Sequence, residues 1–262
     1  MARVQSDLAI DAKWEVAPPS PELQQEMKQI LSQPFYYLGR GGQCFAFASE
    51  DQHYVIKFFK HRFYKPYKIF LNLPLPHSLN QIRKRKMDKI LYKMDRDCLS
   101  YKIAYEEIPE ETGLVYLHLH PKENFEQSVS IIDKLGIAHT LSLNNMAFIL
   151  QKKAEPIPVY LKRLHKRHDE ITAKKAIHSI VETIVSCAGK GIFDDDPGIH
   201  RNFGFVADKP MFIDVGRFKR CDDPAYEHDL RIVTSRFRSF LESNYPYLVT
   251  TLDEEIDATQ KP

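Results

Sequence analysis

Glycine is scarce in this chain, at 10 of 262 residues, and tryptophan occurs once. The four cysteines, Cys44, Cys98, Cys187 and Cys221, are far apart and form no CxxC pair. That spacing sets aside a zinc site and a disulfide framework, and favours reduced thiols in a cytosol-like compartment. No apolar run approaches the ~20 residues that a membrane-spanning helix needs. The opening stretch MARVQSDLAIDAKWE has an early acid and no apolar core of signal-peptide length, so the expectation is a cytoplasmic protein. There is no internal repeat, no low-complexity segment and no serine or cysteine nucleophile motif. His118 and His120 share a strand face, but no third metal ligand accompanies them.

Hydrophobic residues make up 43% of the chain and aromatic residues 11%, enough for a sizeable core. The formal net charge of +2 hides an asymmetry. Between Lys57 and Lys102 there are 13 Lys/Arg and 3 Asp/Glu, a net of +10, which leaves −8 for the rest. Such a basic stretch attracts phosphate, nucleic acid or an anionic membrane; its plainer reading is a solvated helix face.

The order of elements follows from pattern and punctuation. Residues 1–19 read as a loose arm in which Trp14 docks on the body. Ser20-Pro21-Glu22 opens a helix that runs to about Ser32. Three strands follow, Phe35 to Leu38, Gln43 to Ala48 and Tyr54 to Phe59, as an antiparallel meander. Residues 61–79, with three prolines, read as an irregular insertion. A long helix from about Leu79 to Glu107 carries one stripe, Met87, Leu91, Met94, Cys98, Tyr101, Tyr105 and Ile108, at alternating steps of four and three. Strands return at Leu114 to His120, Val129 to Ile132 and Ala147 to Leu150. His165 and His168 lie in a wet, positive segment. A helix from about Thr172 to Ala188 has Thr172 as its cap and ends at Gly189 and Gly191. A loop from Phe193 to Arg201, strands at Phe203 to Val206 and Met211 to Asp214, and one tail helix near Glu227 to Ser243 complete the chain. Strands first and helices later make an α+β protein.

Three stretches carry chemistry. In LGRGGQCFAF, Gly39, Gly41 and Gly42 sit in a turn between strands, where missing side chains let backbone N–H groups approach a phosphate. Lys57 stands between apolar residues on the third strand, a costly place for a cation unless it meets a negative partner or reaches solvent from an edge. Phe212-Ile213-Asp214-Val215-Gly216 ends an apolar strand on a carboxylate, and Asn202 precedes the neighbouring strand. Two strands joined by a turn bring Asn202 and Asp214 together as oxygen ligands suited to magnesium. Asp194, Asp195 and Asp196 precede Asn202. A carboxylate there can accept a hydroxyl proton, and a solvated acidic turn is the plainer reading.

In this order the parts resemble those of protein kinases and their relatives, from about Leu38 to Phe218. GIFDDDPGIHRNFGF is similar to the kinase catalytic loop, and IDVG to the kinase DFG with valine for phenylalanine. The resemblance implies a two-lobed protein-kinase-like fold: an antiparallel-sheet N-lobe with one long helix, and a reduced helical C-lobe. The implied bounds are an arm and helix at 1–34, a nucleotide-binding region at 35–155 and a catalytic region at 156–262. It implies ATP and Mg as cofactors, with Lys57 steadying the α- and β-phosphates and Asn202 and Asp214 holding metal. Asp196 is the implied catalytic base, with Asp194 as its rival. The resemblance also asks for an acid on the long helix to pair with Lys57. Asp95, Asp97 and Glu106 flank the stripe, and Glu106 has the longest reach.

The chain departs from the pattern at Cys44, which replaces the third glycine of the loop. The step from Asp196 to Asn202 is one residue longer than the kinase norm, and no APE-like segment follows Gly216. It is therefore nearer the compact bacterial kinase-like enzymes that act on sugars, lipids or antibiotics, and HDLRIVTSRFRSFLE faintly resembles lipopolysaccharide kinases. The expected function is an ATP-dependent phosphotransferase with an unknown phosphoacceptor. The alternative is a pseudokinase serving as a binding module. A third reading makes the basic 57–102 stretch a docking face for nucleic acid or anionic lipid.

Overall fold

Alternation along three strands builds the first core. In the computed structural model, which describes residues 12–60, 76–119, 127–144, 146–196, 198–221 and 230–259, the chain is a mixed α+β protein. It divides into two units, Met1–Glu106 with Leu114–Lys153, and Glu107–Gly113 with Ala154–Pro262. Strands β1 (Phe35–Arg40), β2 (Cys44–Ser49) and β3 (Tyr54–Phe59) form the expected antiparallel meander. With β4 (Leu114–His118), β5 (Ser128–Ile132), β6 (Ala138–Ser142) and β7 (Phe148–Lys152) they make a seven-stranded sheet in the order β4-β7-β3-β2-β1-β5-β6. β5 pairs parallel to β1; the other pairs are antiparallel.

Register sorts the side chains. One row runs Phe47, Ile56, Leu150, Tyr116, and the next Phe45, Phe58, Phe148, His118. These rows meet Met27, Ile30 and Leu31 of helix α1 (Pro21–Leu31) in one apolar cluster. The rings of Phe47, Phe58, Phe148 and Tyr116 follow one another at 5.9, 6.5 and 5.9 Å. Each fully buried side chain of this size is worth about 1.5–3 kcal/mol. Ser20 caps α1 as expected, its side chain accepting from the Leu23 N–H at 3.2 Å.

The long helix is α2 (His77–Glu106). Its expected stripe is buried only from Met94 onward; Met87 is half-buried and Leu91 exposed, because no described element covers the first half. Trp14 is buried, in a short 3-10 turn, and its indole N–H donates to Asp95 at 2.8 Å. Residues 1–11, most of the insertion at 61–75, and His120 lie outside the described residues.

The second unit holds α3 (Pro109–Thr112), β8 (Glu155–Pro156), α4 (Ile157–Lys166), α5 (Glu170–Gly189), β9 (Ile192–Asp194), α6 (Ile199–Asn202), β10 (Phe203–Val206), β11 (Lys209–Phe212), β12 (Phe218–Arg220), α7 (Leu230–Asn244) and α8 (Val249–Thr259). Several expectations change here. The segment around His165 is exposed, as expected, and lies on the outer side of a helix, α4, whose other face buries Ile157, Tyr160, Leu161 and Leu164. Asp169, not Thr172, caps α5, accepting from the Thr172 N–H at 3.0 Å. The tail holds two helices, and α8 buries Leu252 and Ile256. The loop after α5 contains β9 and one turn of helix, α6. The expected start of the tail helix, near Glu227, lies outside the described residues.

Two small sheets fix the loops of this unit. β10 pairs with β11 on one side and β8 on the other, and β9 pairs with β12. Ala207 and Asp208 both adopt left-handed φ, making the tight turn of the β10–β11 hairpin. The Tyr160 hydroxyl donates to Asp208 at 2.7 Å and anchors that turn. Gly204 sits so close to β8 that a Cβ there would lie 2.7 Å from the Glu155 carbonyl oxygen and 2.9 Å from the Ala154 Cβ. Backbone atoms cannot rotate away, so Gly204→Ala must push β10 off β8. The expected cost is about 1–3 kcal/mol, as for other overpacked sites. Thermal unfolding measures it, and a midpoint within a degree of the native value would show that β8 yields freely.

Candidate functional site

In the first unit, Lys57 lies on a central strand, flanked by β2 and β7, not on an edge. Its row, Ala46, Lys57, Ile149, Leu117, alternates with the aromatic rows and points to the other face of the sheet. Phe59, two residues on, shares that face and packs edge-on against Tyr101 of α2 at 5.0 Å. The Tyr101 hydroxyl donates to Gln43 Oε1 at 3.1 Å, tying the helix to the glycine turn.

The acids of α2 separate by environment. Asp95 is engaged by Trp14 and by Lys13 at 2.7 Å. Glu106 is exposed and lies 3.8 Å from Lys102. Asp97 is 3% exposed, one helical turn before Tyr101, and accepts from the Arg96 Nε at 3.0 Å. Helical phase alone could not rank these three; burial does.

The turn at 41–43 is closed by the Gly41 N–H donating to the Cys44 carbonyl at 3.0 Å. None of Gly39, Gly41 and Gly42 has a left-handed φ, and a Cβ on any of them would meet nothing within 4 Å. Neither backbone sign nor crowding inside the protein requires glycine at these positions. Room for an outside group fits them, which is what a phosphate cradle asks for. Lys60 is the residue that sequence pattern missed. It is buried, its ammonium donates to the Gly41 carbonyl and reaches Gly42 O at 3.5 Å, and it lies 5.1 Å from the Phe45 ring. The signal was available: hairpin pairing puts the residue after β3 opposite the start of β2.

In the second unit, four groups converge. β9 ends on Asp194, opposite Phe218 of β12. The Asp196 N–H donates to Asp194 Oδ1 at 2.9 Å. Asn202, 7% exposed, donates from Nδ2 to the Asp196 carbonyl at 3.0 Å. Its own carbonyl accepts from the Ile213 N–H at 2.6 Å and faces the Asp214 N–H at 3.4 Å. Asp214 thus stands two residues past the end of β11, held to Asn202 by backbone, with the Gly216 N–H 3.4 Å from its Oδ1. The other two acids of the run differ. Asp195 pairs with Lys219 at 2.6 Å at the surface, and Asp196 lies 4.0 Å from Arg236.

Electrostatics single out Asp194. Burial, and then the neighbouring Asp196 and Asp214 carboxylates, push its pKa up to about 7, against the lowering effect of hydrogen bonds from the Asp196 N–H and Asn202. The thiols of Cys98 and Cys187 are pushed up to about 12 by burial, which leaves them inert. Among the described residues, no group of three or more His, Cys, Asp or Glu side chains could hold a metal ion. Magnesium does not need one: it takes one or two protein oxygens and keeps water and phosphate for the rest. An Asn202 amide oxygen and an Asp214 carboxylate beside a repelled carboxylate fit that habit.

Known proteins add little. No family model and no curated protein matches the chain. Among solved structures, the bifunctional kinase-methyltransferase WbdD is similar at 13% identity and a TM-score of 0.37, over 82% of this chain and 43% of that one. A 2.2 Å structure of WbdD gives 16%, 0.37, 84% and 45%. Rv3197 of Mycobacterium tuberculosis, in complex with erythromycin, is similar at 14% identity and a TM-score of 0.37, over 90% of this chain and 61% of that one. The chain thus spans less than two thirds of each, and likenesses this distant carry no argument about it.

The raised pKa of Asp194 has a sign that can be measured. Between the ordinary carboxylate value near 4 and about 7, the folded chain holds a proton that the unfolded chain has lost. Folding is therefore weakened as pH rises through that window, and the loss is complete above it. Asp194→Asn, unfolded beside the native chain in EDTA, should gain on it steadily from pH 4 to pH 8. A gap between the two that is constant with pH would show that the carboxylate is not strained by its neighbours.

Proposed function

We propose that this chain is an ATP- and magnesium-dependent phosphotransferase of the protein-kinase-like kind. The observation that carries the reading is the convergence of Asp194, Asp196, Asn202 and Asp214 at the ends of two strand pairs, each held by a bond to another. Asn202 and Asp214 would hold the metal, which supplies positive charge to phosphate oxygens when bound.

The chain's own groups do the rest by positioning and electrostatics, since phosphoryl transfer asks for little covalent help from the protein. The backbone of Gly39, Gly41 and Gly42 receives phosphate, in a turn stiffened by Lys60. Lys57 contributes a cation to the α- and β-phosphates. Burial supports Asp97 as its acidic partner in place of Glu106, because a desolvated carboxylate holds a cation more firmly than a solvated one.

Between the two rival bases, the surroundings favour Asp194. Its carboxylate accepts from the Asp196 N–H of its own loop, so its direction is fixed. Asp196 offers the cluster its carbonyl and its N–H, while its carboxylate is partly exposed near Arg236. Asp194 would take the proton of the acceptor hydroxyl as its oxygen bonds the γ-phosphorus of ATP and ADP leaves.

Two measurements test this. At 100 times its Kd, a ligand that binds only the folded chain adds about 2.7 kcal/mol, a readily seen rise in unfolding temperature. ATP with magnesium should give such a rise in the native chain and none in Asp214→Ala. An equal rise in the variant would remove Asp214 from the metal site, and no rise in the native chain would favour a binding module that has lost nucleotide. For the base, Asp194→Asn should stop transfer while sparing the ATP shift, and Asp196→Asn should retain most activity. The reverse pattern would return the role to Asp196.

A further inference from the structure

The first half of α2 presents a surface that the proposed chemistry does not use. From His77 to Lys93 no residue of the helix is buried, a stretch of about 25 Å at 1.5 Å per residue. At 100° per residue, Ile82, Arg85, Lys86, Lys89, Tyr92 and Lys93 fall within one sector of about 120°. All six are exposed, Ile82 at 49% and Tyr92 at 69%. Asp88, the acid of this stretch, falls outside the sector. In the second half the same side of the helix carries Ser100 and Ala104, both buried, so this face is open to solvent only over its first half.

Four cations could be a solvated face, but two large apolar side chains among them gain nothing from water. A nucleic acid would meet the cations through its phosphates and leave Ile82 with no partner of its own kind. A bilayer surface takes both classes on one face. Anionic headgroups meet Lys and Arg, the acyl boundary receives the aliphatic side chain, and tyrosine sits at the level between. We propose that residues 82–93 of α2 dock this chain on an anionic lipid surface, with the helix lying in the plane of the headgroups.

The test uses the full chain and flotation with vesicles of phosphatidylcholine, with or without phosphatidylserine. The native chain should float with the anionic vesicles and stay behind with the neutral ones. Each cation near an anionic leaflet is worth about fivefold in binding. Arg85→Gln, Lys86→Gln, Lys89→Gln and Lys93→Gln together should therefore weaken it by about 100-fold or more. A second variant, Ile82→Ser with Tyr92→Ser, keeps every charge and should still lose about tenfold. Both variants must match the native chain in helical circular dichroism and unfolding temperature. Failure of the native chain to float with anionic vesicles overturns the proposal. So does unchanged binding in the Ile82/Tyr92 variant, which would leave a bare field of charge. Single-stranded RNA that strips the native chain from vesicles at equal phosphate would assign the face to nucleic acid instead.

Discussion

The second unit turns on one asparagine. Asn202 ends the single turn of α6, directly precedes β10, and is bonded through its N–H, its side chain and its carbonyl. Its N–H donates to the Gly198 carbonyl at 2.9 Å, its side chain to the Asp196 carbonyl, and its carbonyl receives Ile213. The loop before α6 and the end of the β10–β11 hairpin are therefore joined through one residue. An aspartate in its place would put a fourth carboxylate among three and remove the amide donor. A leucine would remove that donor and leave the Asp196 carbonyl with the Gly198 N–H alone.

Around that node the fold works as a set of fixed edges. Gly204 lets β10 approach β8 closely, the left-handed pair Ala207 and Asp208 turns the hairpin back, and β12 pins β9. These features cost backbone freedom, and helix packing offsets it. α5 buries Ala173, Ala176, Ile177, Ile180, Val181, Ile184 and Cys187 along one face. The segment 107–113 belongs to the same unit and is stitched to it by Glu107 with Arg220, Glu110 with Lys209 and Glu111 with Lys190. Such exposed pairs fix orientation more than they add stability.

The first unit solves a different problem, that of setting a cation on a sheet. Period-2 alternation sends the aromatic rows into the core with α1 and leaves Lys57 on the opposite face. There Phe59, Tyr101 and Gln43 tie α2 to the glycine turn. Lys60 adds a buried ammonium whose charge is met by turn carbonyls and the Phe45 ring, which restrains Gly41 and Gly42 without filling the space above them.

Much of this was written in the sequence. Ser20-Pro21-Glu22 marked the start of α1 because capping and the helix dipole are local effects. The three-strand meander followed from alternation and turn residues, and the pairing of Asn202 with Asp214 from the length of one hairpin. What sequence could not supply was decided by neighbours distant in the chain. β6 and its parallel β1–β5 attachment depend on an edge that alternation does not reveal. α4 reads as polar until Ile157, Tyr160, Leu161 and Leu164 find a core. Asp95 and Glu106 flank the stripe on one side and Asp97 on the other, at similar angles from it, and it took Trp14 and Lys13 arriving at Asp95 to tell them apart. Asp194 and Asp196 look alike in a run of three aspartates. Their difference arises in space, where desolvation and the charge of Asp214, twenty residues away, act on one carboxylate more than the other.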